Sequence, residues 1–245
     1  MSESTTMSRD ATVWQSPEVT RNFLKGVRGA FPYAADQLAI MCQLLQAGRP
    51  LRRFLDLGCG DGVLAATIRQ HWPEAKAVLI DFSEPMLEPA QTRFGEKTTV
   101  LKRDFAVDDW AEGLGQFDAV VSGFAIHHHA DDRKQRIYRE IFSLLAPGGW
   151  FINLEHTASA SPLVNRLWEQ QMVNALYQHR RGQDSTATRE QVHHEFTTRQ
   201  EREADRLSPV CDQCQWLRAI GFSDVDCFFK SYELAVFGGR APART

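Results

Sequence analysis

Between residues 54 and 155 the chain repeats one pattern: a short apolar run, a turn, a longer helical stretch, then another short run. The runs FLDL (54–57), AVLID (77–81), TTVLKR (98–103), FDAVVSG (117–123) and WFINLE (150–155) read as strands, being short, apolar or β-branched, and bounded by turn residues. Helical patterns lie between them near 63–71, 84–93, 106–113 and 132–145. Strands spaced some 20 to 30 residues apart with helices in the gaps predict right-handed βαβ units and a parallel sheet. Open sheets of this kind bind ligands at the carboxyl ends of their strands, so the residues just after each run carry the functional information.

The rest of the chain is arranged around this core. Residues 1–16, polar and rich in Ser and Thr, are expected to form a mobile tail with Trp14 as its first anchor, and 17–50 to hold two helices, near 17–27 and in PYAADQLAIMCQLLQ. The core then occupies 51–156. Residues 157–207 break the alternation with two helical stretches about RRGQDSTAT, an inserted lid whose seven Arg balance seven Asp and Glu. Residues 208–245 are expected to give a helix near 208–219 and two strands joined by a tight turn at about Lys230–Ser231.

The 28 Lys and Arg against 31 Asp and Glu give a net charge of -3, which disfavours a nucleic-acid partner. No stretch approaches ~18 uninterrupted apolar residues and the start has no apolar signal core, so a cytoplasmic protein with no membrane contact is expected. A homodimer is left open. Five scattered cysteines do not form a disulfide framework, and Cys211 and Cys214, though spaced CxxC, fall in a helical pattern without a second ligand pair.

The first strand runs through Asp56, Gly58, Cys59, Gly60, Asp61 and Gly62 directly into a helix, so a ligand can approach backbone N–H groups at the helix start. The third glycine comes one position earlier than in a dinucleotide fingerprint. Carboxylates also stand at successive strand ends: Asp56 and Asp61, then Asp81, then Asp104. They would repel a pyrophosphate but suit a ligand carrying an ammonium, a sulfonium and ribose hydroxyls. Asp81 is placed to accept both hydroxyls of a ribose, Phe82 and Met86 to pack on a purine, and Asp104 with Phe105 to meet an exocyclic amine and its ring.

Over 54–155 these motifs resemble the core of the class I S-adenosylmethionine (SAM) dependent methyltransferases. The resemblance implies a Rossmann-like three-layer α/β/α sandwich with a mostly parallel seven-stranded sheet, a C-terminal antiparallel hairpin and a helical lid. It implies SAM as cofactor, with the methionine part on Asp56, Gly58, Gly60 and Gly62 with Cys59 in the loop, the ribose on Asp81, and the adenine amine facing Asp104. LLAPGG (144–149) is similar to the family's turn before the fifth strand. In the family, the loop opening at Gly123 borders cofactor and acceptor, and many small-molecule methyltransferases resemble this chain in carrying histidines there. Of His127, His128 and His129, His128 is chosen as the general base. No metal site is assigned, because three adjacent histidines cannot all face one ion and the sequence offers no second ligand group. Phe31-Pro32-Tyr33 resembles a Pro-x-Tyr found before the core in relatives, which carries Tyr33 over as a cofactor contact. A small-molecule acceptor is expected, with Trp168, Met172, Tyr177 and Phe196 as candidate lid lining and Arg199 and Arg202 as candidate acceptor contacts. The alternatives are a carboxy-SAM synthase-like enzyme, which the Trp216–Phe222 passage resembles, a tRNA or protein methyltransferase, or a SAM-binding module without catalysis.

Overall fold

The computed structural model describes residues 11–22, 30–95 and 97–243. Seven strands, β1 (Arg53–Leu57), β2 (Lys76–Asp81), β3 (Thr98–Lys102), β4 (Phe117–Gly123), β5 (Leu145–His156), β6 (Ser223–Ser231) and β7 (Leu234–Arg240), form one sheet ordered β3-β2-β1-β4-β5-β7-β6. The pairs among β1 to β5 are parallel, and β7 runs antiparallel to both β5 and β6. β1 and β4 carry almost continuous apolar runs because helices cover both faces of the sheet. On one face, Leu55, Leu57, Val120 and Phe151 meet Ile137, Tyr138 and Ile141 of α5 (Asp131–Leu144) and Leu217 of α8 (Val210–Ile220). On the other, Phe54, Leu79, Val121 and Ile152 meet α2 (Ala34–Gln46), α3 (Val63–His71) and α4 (Glu84–Arg93). The architecture is therefore the expected three-layer sandwich with a C-terminal antiparallel pair.

α1 (Pro17–Asn22) occupies the start of the helix expected near 17–27, the remainder of which lies outside the described residues. The lid has a core of its own. α6 (Pro162–Arg181) and α7 (Arg189–Thr198) pack through Trp168, Met172, Val173, Val192 and Phe196 onto Leu234, with Tyr177 at the margin. Three of the four residues proposed as acceptor lining are thus buried in helix–helix packing. α6 is capped by Ser161, which accepts from Val164 N, and α7 by a reciprocal Thr188–Gln191 box. Among the described residues no helix is long and apolar enough to cross a membrane.

Three expectations are corrected. Ala11–Gln15, placed in the tail, forms a turn of 3-10 helix with Trp14 buried, and of the expected tail residues 1–10 lie outside the described residues. The strand hairpin turns at Tyr232 and Glu233 rather than at 230–231, because Tyr232 takes a left-handed φ of 51° and Glu233 is drawn into the protein by side-chain hydrogen bonds. The helix expected over 106–113 is a series of turns. Two guanidinium groups take the carbonyls that a helix would use: Arg103 donates to Trp110 O and Glu112 O, and buried Arg133 to Phe105 O and Val107 O. Arg133 also meets Glu140 (2.8 Å), whose other oxygen accepts from Trp110 Nε1.

Arg133→Ala would leave Glu140 and the carbonyls of Phe105 and Val107 without this partner, and breaking a buried ion pair on one side costs about 3–5 kcal/mol. We expect a urea-denaturation loss at the lower end of that range, since Glu140 is partly solvated. Hydrogen exchange over 104–113 should accelerate first; unchanged exchange there would remove Arg133 as the organiser of this segment.

Candidate active site

The turn after β1 is built on the pairing of β1 with β2. Past Leu57, which lies opposite Ile80, the N–H groups of Gly58 (2.8 Å) and Cys59 (3.0 Å) both donate to Ile80 O, carrying the ladder into the loop. Gly58, Gly60 and Gly62 then alternate at φ of 68°, 54° and 77°. Two of these glycines answer different demands. A Cβ on Gly58 would stand 2.2 Å from Ala125 Cβ, so the fold itself excludes a side chain there. A Cβ on Gly60 would meet nothing nearer than Met86 Sδ at 3.8 Å, so the space above its backbone is open to a ligand.

Carboxylates hold this turn. Asp56, 1% exposed, accepts the Ala65 N–H (3.0 Å) in the first turn of α3. Asp81, 7% exposed, accepts from Gly60 N through one oxygen and from Ser83 N through the other, both at 2.9 Å. Burial raises the Asp81 carboxyl above its ordinary value, opposed by those N–H bonds. Asp104 accepts from Ala106 N (2.8 Å), and the Phe105 ring comes up beside Gly58. Buried Met86 flanks the other side, and Phe82 is half-buried with its carbonyl accepting from Gln15 Nε2 (3.1 Å). Cys59 is buried, its thiol pushed well up by burial and by Asp56. Gly123 lies over Leu64, next to Ser122, whose hydroxyl donates to Leu57 O (2.8 Å). The structure therefore gathers the residues singled out from Asp56 to Phe105, with Gly123, around one turn. Tyr33 stands apart: it caps α2, is 47% exposed, and packs on Phe229 of edge strand β6. Nearby Phe31 stacks at 4.5 Å on Phe124, which follows β4 with a φ of 51°.

Beyond Phe124 the chain forms a short 3-10 helix, Ile126–His128, that delivers the histidines. His127 is buried; Glu155 accepts from its backbone N–H (3.1 Å) and faces Nδ1 at 2.6 Å, while Asp205 of the lid lies 3.3 Å from Nε2. Burial works against a charged His127 ring, but Glu155 and Asp205 more than offset it and its pKa rises to about 9. Burial and then the neighbouring His127 charge push His128 well below the ordinary histidine value. Its Nδ1 is 3.4 Å from Ala204 O and 3.6 Å from Asp205. Burial and Arg133 bring His129 down to about 4, and its ring sits edge-on to Phe105. His156, at the end of β5, faces Glu233 at 2.7 Å through Nε2 and Asp205 at 3.8 Å through Nδ1. Burial opposes the charge on Asp205 and Glu233, yet hydrogen bonds from His127 and from His156 hold both carboxyls lowered.

Sequence reasoning missed Glu155, His156, Asp205 and Glu233. Glu155 and His156 were within reach, since they end the fifth strand where ligand-facing residues belong. Asp205, one of seven acids in a charge-balanced insert, carried no local signal. The CxxC pair sits on α8 with Cys211 exposed and Cys214 buried, both free.

Residues 54–149 match the family model described as a methyltransferase domain. An uncharacterized methyltransferase of Mycobacterium tuberculosis H37Rv is 38% identical over 127 residues, 51% of this chain and 61% of its own. The demethylmenaquinone methyltransferase of Thermus thermophilus is 33% identical over 131 residues, 51% of this chain and 58% of its own. The chain thus spans about three fifths of the length of these curated relatives. Among solved structures, an O-methyltransferase family protein from Burkholderia thailandensis matches with a TM-score of 0.66 at 14% identity, covering 97% of this chain and 63% of that one. Human N-acetylserotonin methyltransferase, solved with SAM, matches at 0.64 and 15% identity, covering 96% and 60%. At such identities the structural likenesses speak for the fold alone. With the glycine turn of 58–62 set between β1 and α3, the 54–149 segment is similar to methyltransferase domains in sequence, and the chain shares their fold.

Proposed function

We propose that the protein transfers the methyl group of SAM to a small-molecule acceptor held between the sheet edge and the lid. The observation that carries this is the open backbone at Gly60, bounded by Asp81, Met86 and Phe105. SAM supplies an activated methyl on a sulfonium when bound. The chain's part is to hold and align. Each Asp81 oxygen spends one lone pair on a backbone N–H and keeps another for a ribose hydroxyl. Phe82, Met86 and Phe105 supply apolar walls for the base, with Asp104 toward its amine. Gly58, Cys59 and Gly60 offer backbone to the methionine part, and buried Asp56 serves by fixing the first turn of α3 beneath them.

On the acceptor side, Phe31, Phe124 and Trp14 form an apolar rim, with the Trp14 ring 5.6 Å from that of His128. The lid's arginines are engaged within the lid: Arg202 with Glu169 (2.8 Å), Arg180 with Glu195 (2.6 Å), and Arg199 over the Phe196 ring. That pattern supports a small acceptor over a polyanionic one. Free thiols at all five cysteines agree with a cytoplasmic setting.

Incubation with methyl-labelled SAM and candidate hydroxyl, amine and carbon acceptors should move label to a small molecule; label retained on SAM with every acceptor class would sink the transfer reading. For the cofactor site, a hydrogen bond to a charged group contributes about 1.5–3 kcal/mol, so Asp81→Asn should weaken SAM binding roughly 10- to 100-fold by calorimetry. Gly58→Ala and Gly60→Ala should separate in kind. The first should lower the melting temperature through its contact with Ala125. The second should keep most of its stability, losing about 1–2 kcal/mol to left-handed strain, while binding SAM at least tenfold more weakly. Equal SAM affinity in Gly60→Ala and wild type would place the cofactor elsewhere.

A further inference from the structure

The group around Asp205 is unused by the cofactor site, yet it is more elaborate than a lid contact needs. One Asp205 oxygen lies 3.3 Å from His127 Nε2 and 3.6 Å from His128 Nδ1, and the other 3.8 Å from His156 Nδ1. One donor atom from each of His127, His128 and Asp205 falls within 4.8 Å of the other two. A tetrahedral ion with bonds of about 2.0–2.1 Å sets its donors roughly 3.3 Å apart, so the three need only small inward shifts to share one.

The second layer points the same way. Glu155, fully buried, faces the far nitrogen of His127 at 2.6 Å, and Glu233 that of His156 at 2.7 Å, so both rings turn their other nitrogen to Asp205. Glu155 is itself held by Asn153 (3.3 Å), and Glu233 by Asn165 (3.0 Å) and Ser159. A hydrogen-bonded carboxylate behind an imidazole is the arrangement that fixes tautomer and ring direction on a metal.

We propose that His127, His128 and Asp205, with His156 at the margin, bind a divalent transition metal such as zinc, as the imidazole-rich donor set favours. Two ligands come from the core and one from the lid, so the ion ties the lid down beside Phe124 and Trp14, at the acceptor side of the site. Three protein ligands leave a coordination position for a water or an acceptor oxygen. In this arrangement His128 is a ligand rather than the free general base expected from sequence. The proposal stands apart from the SAM reading, because it needs no cofactor to be tested.

The test uses the full chain, stripped with a chelator and titrated with Zn2+ and with Co2+. One equivalent should bind, with the visible bands of four- or five-coordinate cobalt. Glu155→Gln should weaken zinc binding about 10- to 100-fold, and Asp205→Asn more than that, whereas His193→Gln, on the exposed face of α7, should change nothing. X-ray absorption of the zinc-loaded wild type should show nitrogen and oxygen ligands with imidazole scattering, a readout that does not depend on the variants folding. Failure to take up a stoichiometric ion, sulfur in the coordination shell, or binding that survives Asp205→Asn unchanged would each overturn the proposal.

Discussion

The parallel pairing of β1 with β2 is the constraint on which the rest of the site depends. It places Ile80 O where two successive loop N–H groups can reach it, and Asp81 one residue further on, 2.9 Å from Gly60 N. The loop therefore has no freedom to rise away from β2. It must turn back over the sheet within a few residues, and alternating left-handed glycines are the economical way to do so. α3 starts immediately afterwards, with Asp56 beneath its first turn, so the open backbone at Gly60 and the free N–H groups of a helix start come from one act of strand pairing.

The opposite end of the sheet edge is organised by side chains rather than by backbone turns. β4 and β5 finish beside each other, and their last residues bring His127 against Glu155 and His156 toward Glu233. Both ends of the insert are then stitched to this edge. Thr157 N donates to Glu233 O, Ala158 N to Ser208 O, and Arg206 N to His127 O. Fully buried Lys134 donates to Asp131, Ser208 and the carbonyl of Arg206, adding a charged anchor where the lid returns to the core. Between these fixed ends, α6 and α7 pack on their own apolar core. The lid is a small body pinned at both ends, not a flexible loop.

How much of this was legible in the sequence depends on the range of the interactions. The strands and the glycine turn announce themselves because burial on both faces and a tight strand-to-helix turn leave local patterns. Asp81 and Asp104 were found by the same logic, as the residues that end strands. The segment 106–113 misled because its helical periodicity is real; the competing partners, Arg103 and Arg133, act through tertiary contacts. Where Phe31 and Tyr33 pack could not be read from Phe31-Pro32-Tyr33, since their partners, Phe124 and Phe229, lie far along the chain. Asp205 could not be seen at all, because its significance lies in three rings contributed by two strand ends.

The two halves of the edge meet at Trp14. Its carbonyl accepts from the Ser83 hydroxyl (2.6 Å) behind Asp81, while its ring lies against His128. Ala125 provides a second junction, packed so closely to Gly58 that the glycine turn and the approach to the histidines cannot move independently. Acidic residues thus serve two purposes in a nearly neutral chain. Those ending β1, β2 and β3 brace the glycine turn and the loops beside it, and those around the histidines are each matched to an imidazole. On the proposed reading, a methyl donor at the first and an acceptor beside the second would face each other across Ala125 and Phe124, as an in-line transfer needs.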